Sequence, residues 1–141
     1  MAGVRLGYAV GSPALIDQIK KLQPIDHVSN FAVKIGEYIL DHEDLVWNYA
    51  AETEQGKAYL KSELSQMGFH CISGQGNFVL ADFAERKDDL VQKLRARDIL
   101  VASNLRFPFR SGYVRITAGP TEQMRRFIAE LKSLVTEKVS I

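Results

Sequence analysis

The chain has 141 residues, of which 46% are hydrophobic and 25% charged, and a formal net charge of +1. This is the profile of a soluble globular protein of one ordinary domain, long enough to bury its own core, and no global field draws it to nucleic acid or to a lipid surface. Cys71 has no second cysteine to pair with, no apolar run reaches membrane-spanning length, and the N-terminus lacks a secretory pattern, so the cytoplasm is the expected compartment.

The first element expected is a strand over Val4 to Val10, punctuated by Gly3 and Gly11. Ser12-Pro13 then reads as a helix start, with serine as cap and proline at the first helical position. Leu15, Ile16, Ile19 and Leu22 follow at helical spacing, and Pro24 closes that helix. From about Ser29 to Met67 the periodicity predicts two helices, interrupted at Asp41-His42. The first stripe is Phe31, Ile35, Tyr38 and Ile39. The second is Leu45, Val46, Tyr49, Tyr59, Leu60 and Leu64, with Gly56 tolerated inside it and Gly68 as the stop.

Beyond Gly68 the elements shorten. Phe69 to Ser73 and Asn77 to Ala81 read as strands around a Gly74-Gln75-Gly76 turn. Asp82 and Glu85 have capping-box spacing ahead of a helix carrying Leu90, Val91 and Leu94. Asp98 to Val101 reads as a short strand, and Asn104 to Gly112 as a polar and aromatic loop. Tyr113 to Ala118 reads as a strand with Val114 and Ile116 on one face and Arg115 on the other. Pro120 opens a last helix, with Met124, Phe127, Ile128, Leu131, Leu134 and Val135 as its stripe. The fold class expected is α+β, with helices on one face of a small, mainly antiparallel sheet.

Several chemistries find little support. His27, His42 and His70 lack metal-ligand spacing, so no metal site is expected. Gly74-Gln75-Gly76 is too short for a phosphate loop. The run of Arg106, Phe107, Phe109, Arg110, Tyr113 and Arg115 mixes basic and aromatic residues in a manner suited to single-stranded nucleic acid, but the near-neutral total argues against a dedicated binder.

Four segments, in order, carry a resemblance. "AGVRLGYAVGS", "GNFVLADF", "LRARDILVAS" and "GYVRITAGPTEQMRRFIAEL" together resemble the fold-type-I aminotransferases that use pyridoxal phosphate, with the histidinol-phosphate aminotransferases as the nearest subgroup. The resemblance spans nearly the whole chain. It implies that residues 1–11 belong to a strand of a large cofactor domain and residues 12–141 to the small C-terminal domain with its connecting long helix. It assigns Arg5 to the cofactor phosphate, where a guanidinium fork makes paired, charge-assisted hydrogen bonds. It assigns Arg115 to the acidic end of the substrate, its α-carboxylate or its phosphate. Asn77 matches an asparagine that helps shape the floor of the site; a turn amide capping backbone groups fits it equally well. A homodimer is the expected assembly, with an amino-acid or amino-phosphate substrate as partner and neither nucleic acid nor membrane.

Departures from the family pattern are as informative. The lysine that anchors the cofactor lies upstream of the arginine matched by Arg5, and counting back passes Met1. No catalytic residue is therefore expected in this chain, which should neither transaminate nor retain pyridoxal phosphate alone. An interaction or oligomerisation domain derived from the same fold is the alternative. In the histidinol-phosphate subgroup the segment matching "ILVAS" carries an arginine that contacts the substrate phosphate, and here Ala102 stands there. Arg106 and Arg110 could reach the site from the following loop. Asp98 replaces the usual glycine before "IL".

Overall fold

A computed structural model of the chain describes residues 2–22, 28–105 and 112–136. Its contacts divide the chain into two compact units, residues 1–47 and 48–141.

In the first unit, Ala2–Val4 form one turn of 3-10 helix, and residues 5–11 belong to no regular element. The strand expected over Val4 to Val10 is not formed. Arg5 adopts φ 58, in the left-handed region that no β-strand residue occupies, and the apolar positions Tyr8 and Val10 are exposed. Helix α1 spans Pro13–Lys20 with Ser12 at its N-cap and Pro13 at N1, although the serine side chain makes no capping bond. Helix α2 spans Asn30–Asp41, where Ser29 does cap, its Oγ accepting from the Ala32 amide at 3.2 Å. The helical period of α2 is as expected, but its buried positions are Ala32 and Gly36, not the Phe31 stripe; Phe31 and Tyr38 are exposed. A Cβ at Gly36 would come within 2.8 Å of the end of the Leu6 side chain, so Leu6 lies directly over the helix there. Pro24 and His27 lie outside the described residues.

Helix α3 runs Glu43–Gln66, so the interruption at Asp41-His42 falls where the sequence places it. Gly68, at φ 85, ends it. The Phe69 amide donates to the Leu64 carbonyl and the Gly68 amide to that of Ser65, both at 3.0 Å, which is the Schellman arrangement. Gly56 is more than tolerated. A Cβ at that position would lie 1.9 Å from the Gly119 carbonyl oxygen, so its absence lets α3 touch the backbone that precedes the last helix.

The sheet of the second unit consists of β1 (His70–Ser73), β2 (Phe78–Asp82) and β3 (Tyr113–Thr117), in the order β1-β2-β3 and antiparallel throughout. Between β2 and β3 lie a 3-10 turn at Ala84–Arg86 and helix α4 (Lys87–Ala96); helix α5 (Thr121–Thr136) follows β3. The capping box expected from Asp82 and Glu85 becomes an Asx-type turn: Asp82 Oδ1 accepts from the Ala84 amide at 3.0 Å and starts the 3-10 turn, while α4 begins later. The strand expected at Asp98 to Val101 is reduced to an isolated bridge between Ala102 and Arg115. The chain leaves α4 through a Schellman motif, with Ile99 N–H on the Leu94 carbonyl and Asp98 at φ 58, and spends those residues on turning.

Strand alternation then sets the two faces of the sheet. Val79, Ala81, Val114 and Ile116 point into one core with Leu60 and Leu64 of α3, Leu90 and Leu94 of α4, and Met124, Phe127, Ile128, Leu131 and Leu134 of α5. This is the α+β layout expected, helices on one face of a short antiparallel sheet. Lys132 ties α5 to Glu63 of α3, and Arg97 beyond α4 pairs with Glu130 of α5 at 2.7 Å. Among the described residues no helix is long and apolar enough to cross a membrane.

Candidate functional site

The other face of the sheet carries the residues of alternate parity: His70 and Ile72 on β1, Phe78, Leu80 and Asp82 on β2, Tyr113, Arg115 and Thr117 on β3. Among the residues just named, Arg115 is an exposed cation. Its backbone is fixed on both sides. In the ladder it is paired with Leu80; on its outer edge its amide donates to the Ala102 carbonyl at 2.8 Å and its carbonyl accepts from the Ala102 amide at 3.1 Å. The side chain stands over the Phe78 ring, with the guanidinium carbon 5.7 Å from the centroid. Among the described residues no carboxylate pairs with it. An exposed guanidinium on a fixed backbone, with no carboxylate partner among the described residues, is competent to bind a carboxylate or a phosphate.

One row further along, His70, Asp82 and Tyr113 are in register across the three strands, and His70 Nδ1 lies 2.7 Å from the Tyr113 hydroxyl. This bond spans the sheet from β1 to β3, and Tyr113 is almost fully buried. Asn77 precedes β2. Its carbonyl accepts from the Ala118 amide at 2.8 Å, which extends the ladder by one residue, and alternation gives it the parity opposite to Arg115. The adjacent Gly74–Gly76 turn is held by Lys57, a buried lysine of α3 whose Nζ donates to the carbonyls of Gly74 at 3.1 Å and Gly76 at 3.3 Å and pairs with Glu54 at 2.7 Å. Sequence spacing gave Lys57 no such duty, because a lysine in an amphipathic helix reads as solvated.

Arg5 belongs to the first unit. It is exposed, and among the described residues it has neither an ion pair nor a hydrogen bond, so its guanidinium is open to an anion. Arg106 and Arg110 lie outside the described residues. Among the described residues no three histidine, cysteine or acidic side chains are grouped to hold a metal ion. Phe78 was not singled out in the sequence. Its signal is its parity with Leu80 and Asp82, and its place diagonal to Arg115 depends on the β2–β3 register, which the sequence does not print.

The fold, with α3, α4 and α5 on one face of a small antiparallel sheet and an exposed arginine on the other, is that of an α+β module. The comparisons with known proteins give its family. The family model described as aminotransferase class I and II matches residues 1–131, and the chain belongs to that family. It is 33% identical over 137 residues to the histidinol-phosphate aminotransferase of Symbiobacterium thermophilum, covering 97% of this chain and 38% of that protein. It is 29% identical to histidinol-phosphate aminotransferase 1 of Trichormus variabilis, covering 96% of this chain and 39% of that one. Its fold matches the histidinol-phosphate aminotransferase structure from Clostridium acetobutylicum with a TM-score of 0.62 at 22% identity, over 86% of this chain and 38% of that one. The chain thus spans about two fifths of the length of the relatives it matches.

Proposed function

We propose that this chain is the small-domain part of a pyridoxal-phosphate-dependent aminotransferase, in which Arg115 clamps the anionic end of an amino-acid or amino-phosphate substrate. The observation that carries this is Arg115 itself: pinned through Ala102 and Leu80, exposed, and without a carboxylate partner among the described residues, in a chain whose family match runs over residues 1–131. The cofactor, when bound, supplies the electron sink for amino-group transfer to and from a 2-oxo acid. Arg5 fits the task of holding its phosphate, being exposed and unpaired in the sense given above. Residues 1–11 are assigned to the large domain and 12–141 to the small one. Asn77, next to the Gly74–Gly76 turn, has the parity opposite to Arg115, so it is proposed either as the floor of the site, reached from the end of the strand, or as a turn amide. Ala102 faces Arg115 across the bridge and adds no second cation there, so the reading leaves carboxylate and phosphate both open; Arg106 and Arg110 are the further cations proposed for the substrate.

The 141-residue polypeptide is proposed not to transaminate by itself and not to retain the cofactor, because none of its lysines matches the anchoring lysine of the family. Addition of pyridoxal phosphate is expected to give no protein-bound absorption band near ~400 nm, the region of a lysine imine of this cofactor. Turnover with an amino donor, abolished by Arg115→Ala, would overturn the proposal. In a longer form that carries the lysine, Arg115→Lys keeps the charge but loses the planar fork and should weaken substrate binding by about 1–3 kcal/mol, with cofactor retention unchanged.

A second reading, an oligomerising domain without chemistry of its own, is favoured by one observation. The first unit exposes Tyr8, Phe31, Tyr38 and Leu40, with Phe31 and Leu40 each 72% exposed. A homodimer is proposed under either reading. Sedimentation at micromolar concentration tests it, and a monodisperse monomer would refute it.

A further inference from the structure

Arg115 has one side-chain neighbour that nothing above has assigned a task. Phe78 is paired with Thr117 in the β2–β3 ladder, and Leu80 with Arg115. Phe78 and Arg115 are therefore diagonal neighbours on one face, a separation that aromatic and long side chains span. The guanidinium carbon sits over the ring at 5.7 Å from its centroid, within the range of a cation–π contact. Phe78 itself is half-buried, whereas Arg115 is exposed.

We infer that Phe78 is a positioning residue for Arg115, holding the guanidinium on the sheet face so that its N–H edge is presented to the anion. This rests on the proposed role of Arg115 as the clamp. An ion pair would fix the arginine but would also consume donors and cancel charge, whereas an aromatic face does neither. The backbone at position 115 is already fixed by the Ala102 bridge and the Leu80 pairing, so the remaining freedom lies in the side-chain torsions. Arginine loses much rotamer freedom when it is held in one place, and a side chain already resting on a ring has less left to lose when the anion arrives.

The test uses the whole chain, with inorganic phosphate as the probe and the Arg115 Nε–Hε resonance as the reporter. In the wild type this proton should carry a ring-current shift, present again in Phe78→Tyr and absent in Phe78→Leu. Phosphate affinity should fall about two- to fivefold in Phe78→Leu and stay at the wild-type value in Phe78→Tyr. Phe78→Met serves as the second non-aromatic variant, with the same expected loss, should the leucine variant fail to fold. Wild-type affinity in a folded Leu or Met variant overturns the inference, as does an equal loss in Phe78→Tyr. Arg115→Lys separates this from the parent reading. If the lysine variant binds phosphate as the wild type does, the clamp itself fails. If it binds more weakly while Phe78→Leu does not, only the positioning role fails.

Discussion

Gly56→Ala sets two effects of known size against each other. In a free helix, alanine is better than glycine by about 1 kcal/mol. At position 56, however, the new Cβ would stand 1.9 Å from the Gly119 carbonyl oxygen and 3.1 Å from the carbonyl carbons of Gly119 and Pro120. Both partners are backbone, so no rotamer change relieves the overlap, and α3 must part from the β3–α5 turn by more than about 1 Å. Overpacking of this kind costs about 1–3 kcal/mol, and a backbone-to-backbone clash belongs at the upper end. The net expectation is a loss of about 1–2 kcal/mol. Urea unfolding followed by far-ultraviolet circular dichroism reads it as a midpoint lowered by about 0.5–1 M at a urea slope of ~2 kcal/mol/M. A midpoint equal to or above that of the wild type would mean that α3 and the turn are not in contact, and the reasoning would fall with it.

Three further predictions follow from local geometry. Asp98, at φ 58, occupies a position that costs an L-residue about 1 kcal/mol, so Asp98→Gly should raise stability by about 0.5 kcal/mol after the added chain entropy, while Asp98→Val should lower it by more than about 1 kcal/mol; equal stabilities of the two variants would contradict the left-handed turn. Lys57→Met keeps the buried stem but removes the donor to the Gly74 and Gly76 carbonyls, and a loss of about 1–2 kcal/mol with faster amide exchange at Gly76 and Asn77 is expected; unchanged exchange would show that the turn holds itself. Burial pushes the Cys71 thiol above its ordinary 9.0, against smaller opposing effects of Ser65 and Lys61. Its contribution to stability is therefore full below pH 9.0 and is lost as the pH rises through the folded value, and alkylation by iodoacetamide at pH 8 should be slower in the folded chain than in urea; equal rates would refute this.

What the sequence made legible was what repeats. The α5 stripe from Met124 to Leu134 is buried as its period implies, and the Val114/Ile116 face of β3 packs into the core with Arg115 turned outward. The α2 stripe failed for a physical reason. Period locates an apolar face but not its partner, and here the buried positions are the small Ala32 and Gly36, the latter under the Leu6 side chain. The strands at Val4 to Val10 and Asp98 to Val101 failed because β-propensity needs a paired neighbour, and in both stretches the backbone is bent by a residue at positive φ, Arg5 and Asp98. Of the candidate site, the outward placement of Arg115 on β3 was legible from alternation. The Phe78 contact and the Ala102 bridge were not, because both follow from register between strands far apart in sequence. The Lys57 bonds were missed because they are directed at carbonyl groups, which leave no mark on residue identity.

The order of the strands also governs when this surface comes into being. β1 and β2 are joined by the Gly74–Asn77 connection and can zip as a local hairpin. β3 joins only after the excursion from residue 83 to 112, through α4, which adds about 2 kcal/mol to the entropy of closing the second pairing. Arg115 therefore meets Phe78, Leu80 and Ala102 in the slow half of folding, after the hairpin and α4 have local structure of their own. Until β3 has paired, Arg115 has neither Leu80 nor Ala102 beside it, so the sheet face that carries the guanidinium is assembled last.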